Sequence, residues 1–280
     1  MKRLTLSSMT ATLLAVATIS SQGFAAKQQF AGSDTLAGAM TDALIASGMD
    51  QNLGYTGGGS GVGEKNLVAG DQGIAPMSRE MKPEALQALQ AQGNSVIPHV
   101  LALDGISVFV NKSNATGGLD VASITKIFTC EFTRWEQIKS SGLKGDIHAF
   151  RRNDASGTTD AFKHFTGIKT FGACVQVVNE TADISERTSK DVYAVGYAGL
   201  SGKVADNLFL GIAAQAGGQF VMPTTATIRN RSYPFARQLY VYEITGKRKP
   251  TDVEQQFLMN ITDRSFMDPI MQDHEFITLD

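Results

Sequence analysis

Three short segments of the chain combine glycines with hydroxyl side chains where a helix is predicted to begin. They are residues 32–35 (GSDT), 57–63 (GGGSGVG) and 152–158 (RNDASGT). The start of a helix presents unpaired backbone N–H groups and about half a positive charge. Glycine lets the backbone approach a ligand closely, and serine or threonine adds a hydroxyl donor. One such loop is usually structural, but three in one chain predict convergence on a single anion.

Two arginines accompany these loops. Arg152 opens the third loop, and Arg79 follows Ser78 in the segment 75–79 (APMSR). A guanidinium group can form charge-assisted, bidentate hydrogen bonds to an oxyanion. Each such bond contributes about 1.5–3 kcal/mol net, and a micromolar site needs roughly −8 kcal/mol. The residues therefore predict an anion site that needs neither a metal nor a cofactor.

Short apolar runs alternate with helix-like segments, which is the pattern of an α/β protein. Helices are predicted over residues 36–46, 64–69, 83–92, 123–128, 134–138, 159–165 and about 251–260, and strands over 96–110, 194–200 and 238–244. The last helix opens with the capping-box spacing of Thr251 and Glu254. Asp104-Gly105 breaks the longest apolar run, which is typical of a chain crossing from one lobe to another.

The residues of the common hydrolases and metal sites are present without their usual companions. His99, His148, His164 and His274 lack close metal-ligand spacing. The S-x-x-K matches at 123–126 and 141–144 lack S-D-N and K-T-G. Glu64 follows the glycine loop where a nucleotide-binding P-loop needs lysine. We therefore expect a binding protein with no catalytic residues.

Length and charge limit the partners. The chain has 280 residues, with 25 lysines and arginines against 27 acidic residues. This is enough chain for two lobes with cores of their own. The near-neutral balance argues against binding to nucleic acid.

The N-terminus has the layout of a secretory signal peptide. Lys2 and Arg3 precede a mainly apolar run over residues 9–19, and small residues stand three places and one place before a cut after residue 25. The apolar run is too short to span about 30 Å of hydrocarbon. Residues 1–25 are therefore expected to be removed on export, and the mature protein is not expected to span a membrane.

Two cysteines, Cys130 and Cys174, remain in the mature chain. In an exported protein they either pair or stay as buried thiols, and the sequence leaves both alternatives open. Neither lies near the cleavage site, so no lipid anchor is expected.

At these residues the chain resembles the phosphate-binding proteins of bacterial phosphate ABC transporters. The matching segments follow one another in order along most of the mature chain: 32–36 (GSDTL), 55–61 (YTGGGSG), 74–81 (IAPMSREM), 102–106 (ALDGI), 127–128 (IF), Trp135, 152–158 (RNDASGT) and 196–197 (GY). The resemblance implies a periplasmic protein with the type II periplasmic-binding-protein fold. In that α/β fold two lobes close over phosphate, which is then delivered to the membrane permease of the transporter. Lobe 1 would comprise 26–105 and 225–280, and lobe 2 would comprise 106–224.

Ten residues are expected at the ligand. They are Asp34, Thr35, Leu36 (through its backbone), Ser60, Ser78, Arg79, Arg152, Ser156, Gly157 and Thr158. Most are carried over by motif position, whereas Asp34 and Arg79 are included for their chemistry. Asp154 is expected to orient Arg152 through an ion pair.

Two departures from the family pattern bear on the ligand. Some relatives carry an aspartate in place of Ser78, which accepts a proton from phosphate and repels sulfate, and here Asp34 or Asp104 is the candidate acceptor. Cys130 stands where relatives have a small residue. Sulfate, molybdate and phosphonate therefore remain alternatives to phosphate. An exported phosphatase-like protein, a phosphate sensor and a surface adhesin remain alternatives in function.

Overall fold

The computed structural model describes residues 27–200 and 206–279, so the predicted signal peptide lies outside the described residues. The helices are α1 (Ala37–Ala46), α2 (Ser60–Ala69), α3 (Pro83–Ala91), α4 (Val121–Phe128), α5 (Gly157–Thr166), α6 (Thr181–Lys190), α7 (Thr225–Arg229), α8 (Asp252–Thr262) and α9 (Arg264–Asp273). Short 3-10 helices occupy Asp34–Leu36 and Trp135–Gln137. Within this part of the chain, the helices are too short or too polar to cross a membrane.

The strands are β1 (Gln28–Ala31), β2 (Leu53–Thr56), β3 (Ile74–Met77), β4 (Asn94–Asn111), β5 (Gly118–Asp120), β6 (His148–Arg152), β7 (Gln176–Val178), β8 (Ala194–Gly199), β9 (Asn207–Phe209), β10 (Gly211–Ala213) and β11 (Ala236–Gly246). The main sheet has the order β3-β11-β4-β8-β6-β7, with β9 also beside β4. Strands β1 and β2 pair in parallel, and so do β5 and β10.

One long strand, β4, belongs to both parts of the main sheet. Its residues 94–105 pair with β11, and its residues 106–110 pair with β8. We call the part around β3, β11 and the beginning of β4 the first half, which also contains β1, β2, α1–α3, α8 and α9. The second half is built around β6, β7, β8 and the end of β4, with α4–α6. The predicted strand over 96–110 is confirmed: the backbone continues through Asp104-Gly105 as strand, and the pairing partner changes there from β11 to β8.

Apolar side chains cover both faces of the sheet in each half. In the first half, one face packs with Phe30, Leu36, Met40, Phe257 and Met271, and the other with Leu67, Met77, Leu89, Tyr240 and Tyr242. In the second half, the corresponding groups include Val108, Phe128, Trp135, Phe162 and Tyr197, and Phe109, Phe150 and Ile184. The result is a layered α/β protein with a core in each half, as predicted.

Three residues beyond the predicted lobe boundary at 225 pack with residues of the second half. Ile228, Tyr233 and Phe235 pack in the same apolar cluster as Ile106 and Val108. The predicted return of the chain at residue 225 stays a prediction, since the same cluster also contains Ile277 of the predicted first lobe. The division into two moving lobes stays a prediction.

A disulfide joins Cys130 to Cys174 within the second half. It connects the end of α4 to the segment that leads into β7. Of the two alternatives that the sequence left open, the structure has the paired one.

Candidate anion-binding site

The segments predicted to bind an anion follow the carboxyl ends of strands. Residues 32–35 follow β1, residues 57–63 follow β2, and Ser78 follows β3. In the second half, β6 ends at Arg152 and leads to Ser156, the N-cap of α5, whose side chain accepts a hydrogen bond from the Thr159 N–H. Carboxyl ends of strands are where α/β sheets commonly bind ligands. The strands thus bring segments from both halves to one place.

Four hydroxyl groups meet between the halves. Thr35 Oγ1 and Thr158 Oγ1 are 3.0 Å apart, and Ser60 Oγ and Ser78 Oγ are 3.2 Å apart. The Ser78 N–H also donates to Ser60 Oγ at 2.9 Å. A Cβ atom on Gly157 would lie 2.1 Å from Ser60 Oγ and 2.7 Å from Ser78 Oγ, so the start of α5 touches the serine pair. We call the four hydroxyl residues Thr35, Ser60, Ser78 and Thr158, together with the adjoining Gly157, the hydroxyl cluster.

The glycine loop makes this approach possible. Gly59 has φ of 103°, a conformation that favours glycine, and a Cβ there would lie 2.2 Å from the Ala155 carbonyl oxygen. The Gly61 N–H donates to the same oxygen at 3.1 Å. Helix α2 begins at Ser60, four residues earlier than predicted. The glycines therefore pack the backbone of one half against the backbone of the other.

Arg152 is held by Asp34 across the two halves. Its Nη2 donates to Asp34 Oδ2 at 2.5 Å, and its Nη1 donates to Thr181 Oγ1 at 3.0 Å. Asp34 Oδ1 accepts from the Gly58 N–H at 2.6 Å. The Nε–H of Arg152 is buried and has no acceptor within residues 27–200 and 206–279. One donor of Arg152, whose partner Asp34 directly precedes Thr35 of the hydroxyl cluster, is thus available to a ligand.

The expectation that Asp154 orients Arg152 is wrong. Asp154 pairs with Arg151 at 3.2 Å and with Lys163 at 3.0 Å, and its side chain is largely exposed. The hydrogen bond from Lys163, together with Arg151, lowers the pKa of Asp154 even though burial opposes the shift. The physical reason is strand geometry: Arg151 and Arg152 are neighbours on β6, so their side chains point to opposite faces.

Arg237 lies in the site and was not predicted. Its Nη1 donates to Thr158 Oγ1 at 3.0 Å, and its Nη2 donates to Thr35 Oγ1 at 3.3 Å. Its Nε and Nη2 donate to Asp104 Oδ2 at 2.9 and 2.7 Å. Asp104 is fully buried and is directly opposite Arg237 in the register of β4 and β11. The sequence signal for Arg237 was weak: it is a single arginine immediately before the predicted strand 238–244.

Arg79 makes different contacts from those expected of a ligand residue. Its Nη1 and Nη2 donate to the two carboxylate oxygens of Glu64 at 3.1 and 2.8 Å, its Nη1 also donates to the Glu80 carbonyl at 2.8 Å, and its Nε donates to Asp160 at 2.9 Å. Burial lowers the pKa of Arg79, but Glu64 and Asp160 outweigh it and the pKa is raised. The guanidinium is therefore charged and largely occupied by protein acceptors.

Two hydrogen bonds to the Ser33 carbonyl hold the first loop in place. The Leu36 N–H donates to the Ser33 carbonyl at 3.2 Å, and the Leu36 side chain is in the core. The Tyr55 hydroxyl donates to the same carbonyl at 2.7 Å. Burial, with a smaller contribution from Asp34, raises the pKa of Tyr55 well above its ordinary value, so this hydroxyl keeps its proton. Ser33 Oγ is buried without a partner in the described chain and was also missed by the prediction.

A groove of about 930 Å³ lies beside the cluster, between the halves. Ser78 and Arg237 line it at the cluster, and Arg79, Lys82 and Asp160 also face it. Within the described residues, the structure has no group of three or more histidine, cysteine or acidic side chains placed to hold a metal ion.

Comparisons with known proteins agree with this architecture. The model of the PBP superfamily domain matches residues 20–264. The phosphate-binding protein PstS of Pseudomonas aeruginosa is 30% identical over 263 residues, which cover 86% of this chain and 80% of that protein. The chain therefore belongs to the PBP superfamily and, within it, to the family of PstS phosphate-binding proteins.

Solved structures share the fold at lower identity. A Clostridium perfringens structure with bound phosphate, described as a phosphate ABC transporter substrate-binding protein, superposes with a TM-score of 0.78 at 24% identity, covering 91% of this chain and 100% of that one. An ABC-type phosphate transport receptor from Vibrio cholerae superposes with a TM-score of 0.72 at 18% identity, covering 90% of this chain and 100% of that one. The predicted type II periplasmic-binding-protein fold is confirmed.

Proposed function

We propose that this protein binds inorganic phosphate between its two halves and delivers it to the membrane permease of an ABC transporter. The observation that carries the proposal is the meeting of the hydroxyl cluster with Arg152 and Arg237. These groups come from distant parts of the chain and from both halves. The relatives are named as proteins that bind or transport phosphate, which supports the same ligand.

The proposed ligand contacts are Thr35, the Leu36 backbone, Ser60, Ser78, Arg152, Ser156, Gly157 and Thr158, with Arg237 added. Asp34 is proposed to lie beside the ligand as the partner that orients Arg152. Arg79 is left out, because Glu64 and Asp160 occupy its guanidinium.

The charges of the site favour recognition by hydrogen bonds. Arg152 is paired with Asp34, and Arg237 is paired with Asp104. Each pair is close to neutral, so the attraction for a dianion comes mainly from hydroxyl donors, the Arg152 Nε–H and helix N-termini. A serine hydroxyl both donates and accepts, so Ser60 and Ser78 can also accept a hydrogen bond from the protonated oxygen of phosphate.

The same contacts favour binding without catalysis. Ser60 and Ser78 are hydrogen-bonded to each other. Thr35 and Thr158 are hydrogen-bonded to each other and to Arg237. A serine that acts as a nucleophile needs a general base within hydrogen-bond distance. Within the described chain, none of these hydrogen-bond partners is such a base.

Isothermal titration with phosphate, sulfate, molybdate and methylphosphonate tests the ligand. We expect phosphate to bind tightest and Arg152→Ala to weaken it about tenfold or more, because the substitution unpairs buried polar groups. Arg134→Ala is the matched control, since Arg134 is half-exposed and pairs with Glu136 and Asp146 in the second half. It should bind phosphate as the unsubstituted protein does. If the protein binds sulfate tightly and does not bind phosphate, the ligand is sulfate and the proposal is wrong on this point.

Other functional classes give other results in the same variants. Hydrolysis of a chromogenic phosphate ester that is lost in Arg152→Ala would support an enzyme. Binding to a host surface that is indifferent to Arg152→Ala would support an adhesin.

Export to the periplasm is part of the proposal. It is supported by the charged and apolar pattern of residues 1–25 and by the disulfide, since disulfides persist in oxidising compartments. N-terminal sequencing of the secreted protein is expected to begin at Ala26. A mature protein that retains Met1 would contradict this part of the proposal.

A further inference from the structure

Arg79 and its neighbours form a group of charges that joins the two halves beside the anion site. Glu64 is on α2, Arg79 follows Ser78, and Lys82 precedes α3, all in the first half. Asp160 is in the first turn of α5, in the second half. We call Glu64, Arg79, Lys82 and Asp160 the cross-half ion network.

Asp160 makes the contacts that cross between the halves in this network. Its Oδ2 accepts from Arg79 Nε at 2.9 Å and lies 3.0 Å from Lys82 Nζ. Glu64 holds Arg79 from within the first half, and its Oε1 also accepts from the Lys82 N–H at 2.7 Å. Two cations and two carboxylates balance one another. The network therefore adds little net charge to the site, but its pairing with Asp160 requires the two halves to be together.

The network is connected to the helices that form the hydroxyl cluster. Ser60 is the first residue of α2, which also carries Glu64. Gly157 and Thr158 begin α5, which also carries Asp160. A bond between Asp160 and Arg79 consequently favours the arrangement in which the two helix starts meet.

We propose that Asp160 is a positioning residue that holds the halves together through Arg79 and Lys82 and thereby slows the release of phosphate. The proposal rests on the proposed function. Contacts present only when the halves are together shift the equilibrium toward that state, and apparent affinity follows its population. The Arg79 side chain is 8% exposed and that of Asp160 is 17% exposed, so solvent screens this pair less than a surface pair.

The test is the dissociation of labelled phosphate chased with unlabelled phosphate. Asp160→Asn is expected to raise the dissociation rate about tenfold and to leave the association rate nearly unchanged, since related complexes differ mostly in dissociation. The matched control is Asp154→Asn. Asp154 also pairs with one arginine and one lysine, but Arg151 and Lys163 both lie in the second half, so this control should release phosphate at the unsubstituted rate.

A second pair of variants separates cross-half contact from an effect on α5 itself. Lys82 is about half-exposed, so Lys82→Gln should fold normally and raise the dissociation rate about two- to threefold. In the Asp160→Asn background the same change should add little, because the two side chains act through one contact. Fully additive effects would show that Asp160 acts only on its own helix and would overturn the proposal.

The outcomes for this inference and for the proposed function are distinct. An unsubstituted protein that does not bind phosphate contradicts the proposed function and, with it, this inference. An unsubstituted protein that binds phosphate, with equal dissociation rates in Asp160→Asn, contradicts the positioning role alone. An equally large rise of the dissociation rate in Asp154→Asn would also contradict the positioning role, since the loss of a carboxylate that makes no cross-half contact would then have the same effect.

Discussion

Each arginine of the anion site has a carboxylate partner of its own. Asp34 holds Arg152 across the halves, and Asp104 holds Arg237 across two strands. The pairs fix the direction of the guanidinium groups before a ligand binds. A free arginine side chain would lose conformational entropy when it adopted that direction on binding. At this scale the aspartates are important because they orient donors, in addition to any contact with the ligand.

We predict that Arg237→Ala lowers the free energy of unfolding by about 3–5 kcal/mol, since it leaves the buried Asp104 carboxylate without its partner. Asp104→Asn combined with Arg237→Met should recover most of that loss, because no unpaired charge remains. Phosphate affinity should stay about tenfold or more below that of the unsubstituted protein in both variants, since the donors beside Thr35 and Thr158 are gone. Urea unfolding without phosphate measures the first effect, and isothermal titration measures the second.

Two other results would change this interpretation. Full phosphate affinity in the double variant would remove Arg237 from the ligand contacts. Unchanged stability in Arg237→Ala would show that Asp104 does not depend on the arginine.

The sequence predicts the hydroxyl side chains better than the charged ones. Thr35, Ser60 and Thr158 could be found because a helix start is a local feature that glycine and hydroxyl residues reveal. The partners of Arg79, Asp154 and Arg237 depend on which strand face and which register bring charges together, and a single sequence does not contain that information. The choice between Asp34 and Asp154 as partner of Arg152 is a case of this kind.

At the scale of helices and strands, capping and glycine patterns explain most of the boundaries. The capping box of Thr251 and Glu254 is confirmed at the start of α8. Helix α2 begins within the glycine loop, because contacts with the other half hold its first turn. Helix α9 was not predicted, and it contains Pro269 in its interior, where proline normally argues against a helix.

The contact between the start of α5 and the serine pair leads to a prediction for Gly157→Ala. A methyl group there would lie 2.1 Å from Ser60 Oγ, so the halves could not approach to the same distance. Overpacking of this kind costs about 1–3 kcal/mol, and we expect phosphate affinity to fall about tenfold. Isothermal titration measures the change.

Gly117→Ala is the control for Gly157→Ala, because a methyl group on Gly117 would have no atom within 4 Å in the described structure. It should bind phosphate normally. The clash at Gly157 is with the other half, so unfolding without phosphate should change little in that variant. A loss of stability as large as the loss of binding would indicate damage within the second half instead.

At the scale of the whole molecule, the fold class and the family were predictable from the order of the motifs. The strand over 96–110 was also predictable, but the strands that pair with it on either side of Asp104-Gly105 were not, because pairing depends on distant parts of the chain. The packing of Tyr233 and Phe235 against Ile106 and Val108 was not predictable either, since it is a long-range effect.

Buried tyrosines in both halves give the whole molecule a predictable response to alkali. Burial is the main cause of a raised pKa in each of five tyrosines: Tyr55, Tyr197, Tyr233, Tyr240 (to about 12) and Tyr242. The unfolded chain releases these protons near pH 10, whereas the folded protein retains them. The contribution of these groups is therefore fully present below about pH 10 and is lost as pH rises through the folded values.

We predict that the free energy of unfolding declines between about pH 10 and 12. Tyrosinate absorbance should rise at higher pH in the native protein than in protein unfolded in guanidinium chloride. Tyr197→Phe should make the decline shallower, since one raised group is removed. Coincident absorbance curves for native and unfolded protein would contradict the prediction.

The passage of β4 and β11 between the two halves has a mechanical consequence. Strand β4 leaves the first half after Gly105, and β11 begins directly opposite that point, at Ala236. Because both strands cross there, we predict that any swing of one half against the other is a rotation about an axis near Asp104 and Arg237. Atoms close to that axis travel little, and those at the outer rim of the groove travel furthest. An anion bound next to the axis would thus need only a small displacement of the residues around it to produce a large displacement at the rim.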